Sequence, residues 1–94
     1  MRLVYSREAV ADLVRLREFI AGKDPSAVTR VAEDLVARIE NLCLFPHLGV
    51  GVEHAPQPEA VRDRVFGNYV VRHSVHTEAL AILRIWHHYG KRES

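Results

Sequence analysis

The first half of the chain contains two stretches in which apolar residues recur every three or four positions. In the earlier stretch the apolar positions are Ala9, Leu13, Leu16 and Ile20. This spacing places them on one side of a helix, opposite a polar side that carries Glu8, Asp12, Arg15 and Glu18. Ser6 is suited to cap the first turn, and Gly22 is suited to end the helix after about Ala21. The pattern predicts an amphipathic helix.

The second helical stretch begins at Asp24-Pro25, a sequence that favours a helix start. Its apolar residues are Val28, Val31, Ala32, Leu35, Ile39, Leu42 and Cys43. The helix is expected to end near Leu44, since Pro46 disfavours helical geometry at the residue before it. Two helices joined by a few residues predict an antiparallel helical hairpin, which must bury its apolar side on another element.

The remaining regular patterns are typical of β-strands, which are predicted at residues 2–5, 61–66, 69–75 and 79–86. Gly67-Asn68 is a two-residue hairpin sequence, and the leading glycine suits a type II′ turn. Residues 46–60 are rich in Pro and Gly and predict a 15-residue loop.

The last strand decides the order of the sheet. Alternation along residues 79–86 would place Leu80, Ile82, Arg84 and Trp86 on one face, with Ala81, Leu83 and Ile85 on the other. Both faces are mainly apolar, so the strand should lie inside the sheet, with the N-terminal strand beside it. The fold class that follows is α+β, in the order β-α-α-β-β-β, with a helical hairpin packed on a four-stranded, mainly antiparallel sheet.

Length and composition predict a single domain over residues 1–94 and exclude several classes. No stretch approaches the ~20 apolar residues that span a bilayer, and the N-terminus lacks a signal-peptide pattern, so a cytoplasmic protein without membrane contact is expected. The single cysteine, Cys43, is expected to be a small buried hydrophobe. His73 and His76 should point to opposite faces, and we expect neither a metal site nor a cofactor.

The order of these elements, together with three short stretches, resembles the RelE/ParE toxin superfamily. The stretches are Leu42-Cys43-Leu44-Phe45-Pro46-His47-Leu48-Gly49, Tyr69-Val70-Val71 and Leu83-Arg84-Ile85-Trp86-His87. The resemblance implies a toxin of a bacterial type II toxin–antitoxin module, neutralised by a cognate antitoxin in a toxin–antitoxin hetero-oligomer. ParE-like members bind and poison DNA gyrase, whereas RelE-like and YoeB-like members cut messenger RNA, usually on the ribosome.

For the ribonuclease alternative, the resemblance implies the catalytic residues Arg62, Arg64, His88, Tyr89 and Arg92. His and Tyr can transfer protons, and Arg can stabilise the charge of the scissile phosphate. However, Val70 stands where RelE-type enzymes carry an Arg after the strand-opening Tyr69, and no Tyr follows Arg92 in this sequence. These departures favour gyrase inhibition, with the ribosome-dependent mRNA endonuclease as the alternative and a non-toxic binding module as a second alternative. Tyr69 and Trp86 are expected in the core, while Arg84 interrupts an apolar face and requires a partner.

Overall fold

The computed structural model describes residues 2–44, 50–51 and 61–88. These residues form strand β1 (Arg2–Tyr5), helix α1 (Arg7–Lys23), a 3₁₀ helix (Pro25–Ala27), helix α2 (Val28–Asn41) and strands β2 (Val50–Gly51), β3 (Val61–Phe66), β4 (Tyr69–Val75) and β5 (Ala79–His87). The order β-α-α-β-β-β is confirmed, and β2 is an additional strand within it.

Helix α1 begins where the sequence predicts and ends two residues later. The backbone N–H of Ala9 donates to the Ser6 side chain (3.0 Å), so Ser6 is the expected N-cap. Gly22 does not end the helix, which continues to Lys23 because the N–H of Asp24 still bonds to the carbonyl of Ile20. The predicted end at about Ala21 was therefore two residues too early.

The second predicted helix is divided into two helical segments. The Asp24 side chain accepts hydrogen bonds from the backbone and hydroxyl of Ser26, which tightens the first turn into a 3₁₀ helix. At the other end, the N–H groups of Leu42, Cys43 and Leu44 bond to carbonyls three residues back. The α-helical part consequently ends at Asn41, and the expected end near Leu44 was wrong.

The sheet has the order β1-β5-β4-β3-β2, with β1 parallel to β5 and all other pairs antiparallel. The prediction that the N-terminal strand lies beside the last strand is confirmed. The four predicted strands form most of the sheet, and β2 extends it by pairing Val50 with Asp63 and Gly51 with Arg62. Part of the predicted 15-residue loop is therefore a short strand. Gly67 has φ of +60°, which the two-residue turn between β3 and β4 requires.

A β-bulge in β5 overturns the predicted alternation of its side chains. Arg84 pairs with Arg72 and Ile82 pairs with His73, which leaves Leu83 as an extra residue. Beyond the bulge the faces exchange, so Ile85 joins Leu80 and Ile82 in the core. The prediction that Leu80, Ile82, Arg84 and Trp86 share one face was therefore wrong after Ile82.

The hydrophobic core lies between the two helices and one face of the sheet. Its buried residues are Ala9, Leu35, Ile39, Leu42, Val71, Leu80, Ile82 and Ile85. Tyr69 and Cys43 are partly buried and pack against this core, whereas Trp86 is half-buried and lies outside it. No helix in the described part of the chain is long and apolar enough to cross a membrane.

Candidate functional site

Three of the five predicted ribonuclease residues lie in the described part of the chain. Arg62 and Arg64 are both on β3, where they pair with His73 and Val71 of β4. His88 follows the end of β5, and its backbone N–H donates to the carbonyl of Asn68 in the β3–β4 turn. Tyr89 and Arg92 lie outside the described residues.

The strand register keeps these three residues apart. β3 and β5 are separated by β4, so they lie about 10 Å apart, and each residue advances about 3.3 Å along a strand. From these spacings the Cα of His88 is roughly 14 Å from that of Arg64 and roughly 19 Å from that of Arg62. The backbone of His88 is therefore well separated from that of Arg62 and Arg64.

The groove beside Arg64 is also lined by the polar residues Arg38 and Asn41. Arg64 lies over the ring of Phe66, 5.5 Å from its centroid. Val70 stands at the position where the resemblance to RelE-type enzymes implies an arginine. It is buried. Its side chain offers no donor to an anion.

A charged group with several hydrogen-bond partners in the described part of the chain is Asp12 of α1, which the sequence pattern placed on the polar side of the helix. Asp12 is 3% exposed, so that prediction was wrong. Its carboxylate accepts two hydrogen bonds from Arg84 (2.8 and 3.2 Å) and one from the backbone N–H of Ile85 (2.8 Å). Arg15, one turn along α1, also donates to it. The partner that Arg84 requires is thus a buried carboxylate on α1.

Asp12 and Ser6 together hold α1 against the bulge of β5. The Ser6 hydroxyl donates to the carbonyl of Leu83, the extra residue of the bulge (2.8 Å). Strand β1 pairs only with the first part of β5, from Ala79 to Ile82. Beyond that point, the side chains of Ser6 and Asp12 serve as hydrogen-bond partners for the edge of β5, which satisfies backbone groups that β1 does not reach.

Asp12 remains ionised through these bonds. Burial alone would raise the pKa of its carboxyl group, but the hydrogen bonds from Arg84, Ile85 and Arg15, with the charge of Arg84, hold the pKa below the ordinary value. The hydrogen bond to Asp12 correspondingly raises the pKa of Arg84. The group is therefore a stable ion pair rather than a proton donor or acceptor near neutral pH.

A cleft of about 630 Å³ opens beside this ion pair, between α1 and the end of β5. We name it the α1–β5 cleft, and it is lined by Asp12, Arg15, Leu16, Phe19, Lys23, Arg84, Ile85, Trp86 and His87. Its lining combines three cations with several apolar side chains. Such a lining can hold an anionic group next to an apolar one.

Aromatic rings shape one end of the cleft. The ring of His87 lies 5.9 Å from that of Phe19 and meets Tyr69 edge-on at 5.3 Å. The ammonium group of Lys23 lies 4.9 Å from the centroid of Phe19. Burial raises the pKa of the Tyr69 hydroxyl. These ring contacts join α1 to β5, and β5 to β4, at this end of the cleft.

A second ion pair, on strands β3 and β4, lies beside the first. Arg72, the cross-strand neighbour of Arg84, makes two hydrogen bonds to Asp63 (2.8 and 3.0 Å) and covers the Trp86 ring at 5.2 Å. Two arginines directly opposite each other would repel, and a separate carboxylate for each offsets that repulsion. Among the described residues, no group of three or more His, Cys, Asp or Glu is arranged to hold a metal ion.

Comparison with known proteins gives a consistent result. The family model described as the ParE toxin of type II toxin-antitoxin system, parDE, matches residues 3–90. A chain of the solved structure titled "Chromosomal ParDE TA system from P. aeruginosa" superposes with a TM-score of 0.77 at 23% identity, covering 93% of this chain and 95% of that one. The comparison with curated proteins finds no match.

Proposed function

Since the chain belongs to the ParE toxin family of type II toxin–antitoxin systems, we propose that it arrests growth by binding and inhibiting DNA gyrase, and that a cognate antitoxin neutralises it. The antitoxin would cover apolar surface of the helical hairpin and the sheet edge with an amphipathic helix or an extended segment.

The observation that carries the choice of gyrase is the separation of the candidate ribonuclease residues. Arg62 and Arg64 lie two strands away from His88, at the distances given above. Cleavage of RNA needs an acid, a base and an anion-stabilising group around one phosphate. Inhibition by binding needs no such group and requires only a complementary surface.

Helix α1 offers a surface of this kind on its solvent side. Val10 and Val14 lie one helical turn apart on the same side, and each is about half exposed. Exposed apolar residues on one side of a helix can contribute apolar area to a contact with another protein. We assign this α1 surface to the contact with gyrase.

The proposal can be tested with purified protein, gyrase and relaxed plasmid. We expect the protein to block supercoiling or to increase gyrase-linked DNA breaks, and to leave ribosome-bound message intact. The variant Val10→Lys/Val14→Lys should lose most of the inhibition, because it places charge in the contact. Val65→Lys is the matched control, since Val65 is also half exposed but lies on β3.

Two other outcomes would overturn the proposal. Cleavage of ribosome-bound message that is lost in Arg64→Ala or His88→Ala would identify an endoribonuclease instead. Inertness in both assays, with normal growth on expression, would identify a non-toxic binding module of the same fold.

A further inference from the structure

We propose that two copies of this chain associate through the free edge of β1, with the two strands antiparallel around a two-fold axis at Val4. The pairing joins two five-stranded sheets into one continuous sheet. The inference rests on the geometry of β1 and depends neither on gyrase nor on an antitoxin.

Strand β1 has backbone hydrogen-bonding groups that its own sheet does not use. Among the residues that the structure describes, β1 pairs with β5 on one side and lies at the edge of the sheet on the other. The backbone N–H groups of Arg2 and Ser6 donate to carbonyls on the β5 side (2.9 Å each). Successive residues of a strand direct their N–H and C=O groups to opposite sides. Those of Leu3 and Tyr5 therefore point away from β5, toward the free edge.

These outward groups match a second copy of the same strand. When the two-fold axis passes beside Val4, Leu3 of one protomer lies opposite the partner's Tyr5, and Tyr5 lies opposite the partner's Leu3. Each of these residue pairs exchanges two N–H···O bonds, as in the hydrogen-bonded pairs of an antiparallel ladder. Both outward N–H groups and both outward carbonyls of each protomer are then used. Because the match is symmetric, a second copy of the chain is the occupant that the edge fits.

The side chains on both faces of β1 suit this pairing. Leu3 and Tyr5 are half-buried and pack against the core. In the dimer each of them gains an apolar neighbour across the new ladder, and such cross-strand pairs stabilise a sheet. Val4 lies on the opposite face of the strand, where it is 39% exposed. The two-fold axis places it directly opposite the partner's Val4, so association covers an apolar side chain that the single chain leaves in water.

The middle of β1 lacks the side chains that commonly keep exposed strand edges apart. Proteins protect such edges with a charged residue, a proline or a bulge. Leu3, Val4 and Tyr5 supply none of these, and the charged Arg2 lies at the end of the strand. The strand is only four residues long, which limits the area that pairing buries. The dimer is therefore weak, with a dissociation constant of about 10–100 µM.

Sedimentation velocity of the full chain over about 5–500 µM measures the association. We expect a monomer at the lowest concentration and a dimer at the highest. Val4→Lys should raise the dissociation constant by about tenfold or more, because it places two like charges directly opposite each other at the axis. Val65→Lys is the matched control, since Val65 is half exposed but lies on β3, three strands away from β1. This control should associate like the natural protein, and circular dichroism spectra establish that each variant is folded.

The two-fold register is tested by mixing two charged variants. Val4→Glu alone should associate as poorly as Val4→Lys alone, whereas an equimolar mixture of the two should form a heterodimer, because opposite charges then face each other at the axis.

A disulfide cross-link tests the same contact without a charge. The Cα atoms of a directly opposite pair that shares no hydrogen bonds lie about 4.5 Å apart, within the range that a disulfide spans. Val4→Cys/Cys43→Ser should therefore give a disulfide-linked dimer on exposure to air, and Val65→Cys/Cys43→Ser should give little. If Val4→Lys fails to fold, this cross-link decides the question.

Several results would overturn the inference. They are a monomer at every concentration, a dimer that Val4→Lys leaves unchanged or that Val65→Lys abolishes, and a mixture of the two charged variants that does not associate. Equal cross-linking through residues 4 and 65 would also overturn it. None of these measurements contains gyrase, so loss of the β1 pairing and loss of the gyrase proposal would be observed separately.

Discussion

Replacement of Asp12 by alanine should be the most damaging single change to the contact between α1 and the sheet. The substitution removes a buried carboxylate that accepts hydrogen bonds from Arg84, Arg15 and the backbone of Ile85. It leaves the fold's core side chains unaltered, so its effect isolates the polar contact at the bulge.

The expected cost follows from which donors can reach water. The N–H of Ile85 is buried and would lose its acceptor, which costs about 1–3 kcal/mol. More than half of each of the Arg84 and Arg15 side chains is accessible, so water replaces the carboxylate and each pair contributes only about 0–1 kcal/mol. Asp12→Ala should therefore lower the free energy of unfolding by about 2–3 kcal/mol, out of about 5–14 kcal/mol for a domain of this length.

Urea unfolding provides the assay, followed by the fluorescence of Trp86, which is the single tryptophan of the chain. With an m-value of about 1 kcal/mol/M, the midpoint of Asp12→Ala should fall by about 2 M. Asp12→Asn keeps an oxygen for Ile85 and should lose about 1 kcal/mol, and Arg84→Gln should lose less than about 1 kcal/mol. Equal losses for Asp12→Ala and Arg84→Gln would refute the reasoning, because they would assign the stability to the exposed ion pair.

Three further predictions concern stability. The pKa of Asp12 is lower in the folded protein than its ordinary value of 3.8, so its contribution to the free energy of unfolding is complete above that value and is lost as the pH falls below it. Acid unfolding can be followed by circular dichroism, and below about pH 4 the stability of the natural protein should fall more steeply with pH than that of Asp12→Asn. Gly22→Ala should raise the melting temperature by a few degrees, since Gly22 lies inside α1 and an added Cβ would have no atom within 4 Å; an unchanged or lower melting temperature would contradict this. Ser6→Ala should cost about 1–2 kcal/mol in urea unfolding, because it removes both the helix cap and the bond to Leu83, and Ser6→Thr should restore much of the loss.

The strand order could be predicted from the sequence because β5 is apolar on both faces. A strand of this kind must have neighbours on both sides, and β1 was the remaining candidate for one of them. The position of β1 beside β5 confirms that reasoning. The bulge at Leu83 could not be predicted in the same way, because alternation assumes an uninterrupted ladder. Its bonding partners, Ser6 and Asp12, lie more than 70 residues away in sequence.

The candidate site was predicted less completely, for a related reason. The unmatched charge of Arg84 indicated that a partner was needed, but nothing in the helical pattern distinguished Asp12 from the exposed acids near it. The α1–β5 cleft combines residues from the two ends of the sequence, and only the tertiary packing brings Phe19 and Lys23 beside His87. Of the proposed ribonuclease residues, Arg62 and Arg64 are on one strand as predicted, and their roles remain predictions.

The central claim, inhibition of gyrase, is tested most directly by inducing the protein in cells and following DNA damage and protein synthesis over the same period. The account predicts that the DNA-damage response rises while protein synthesis continues, and that Val10→Lys/Val14→Lys abolishes that response. An immediate arrest of protein synthesis without DNA damage would contradict it.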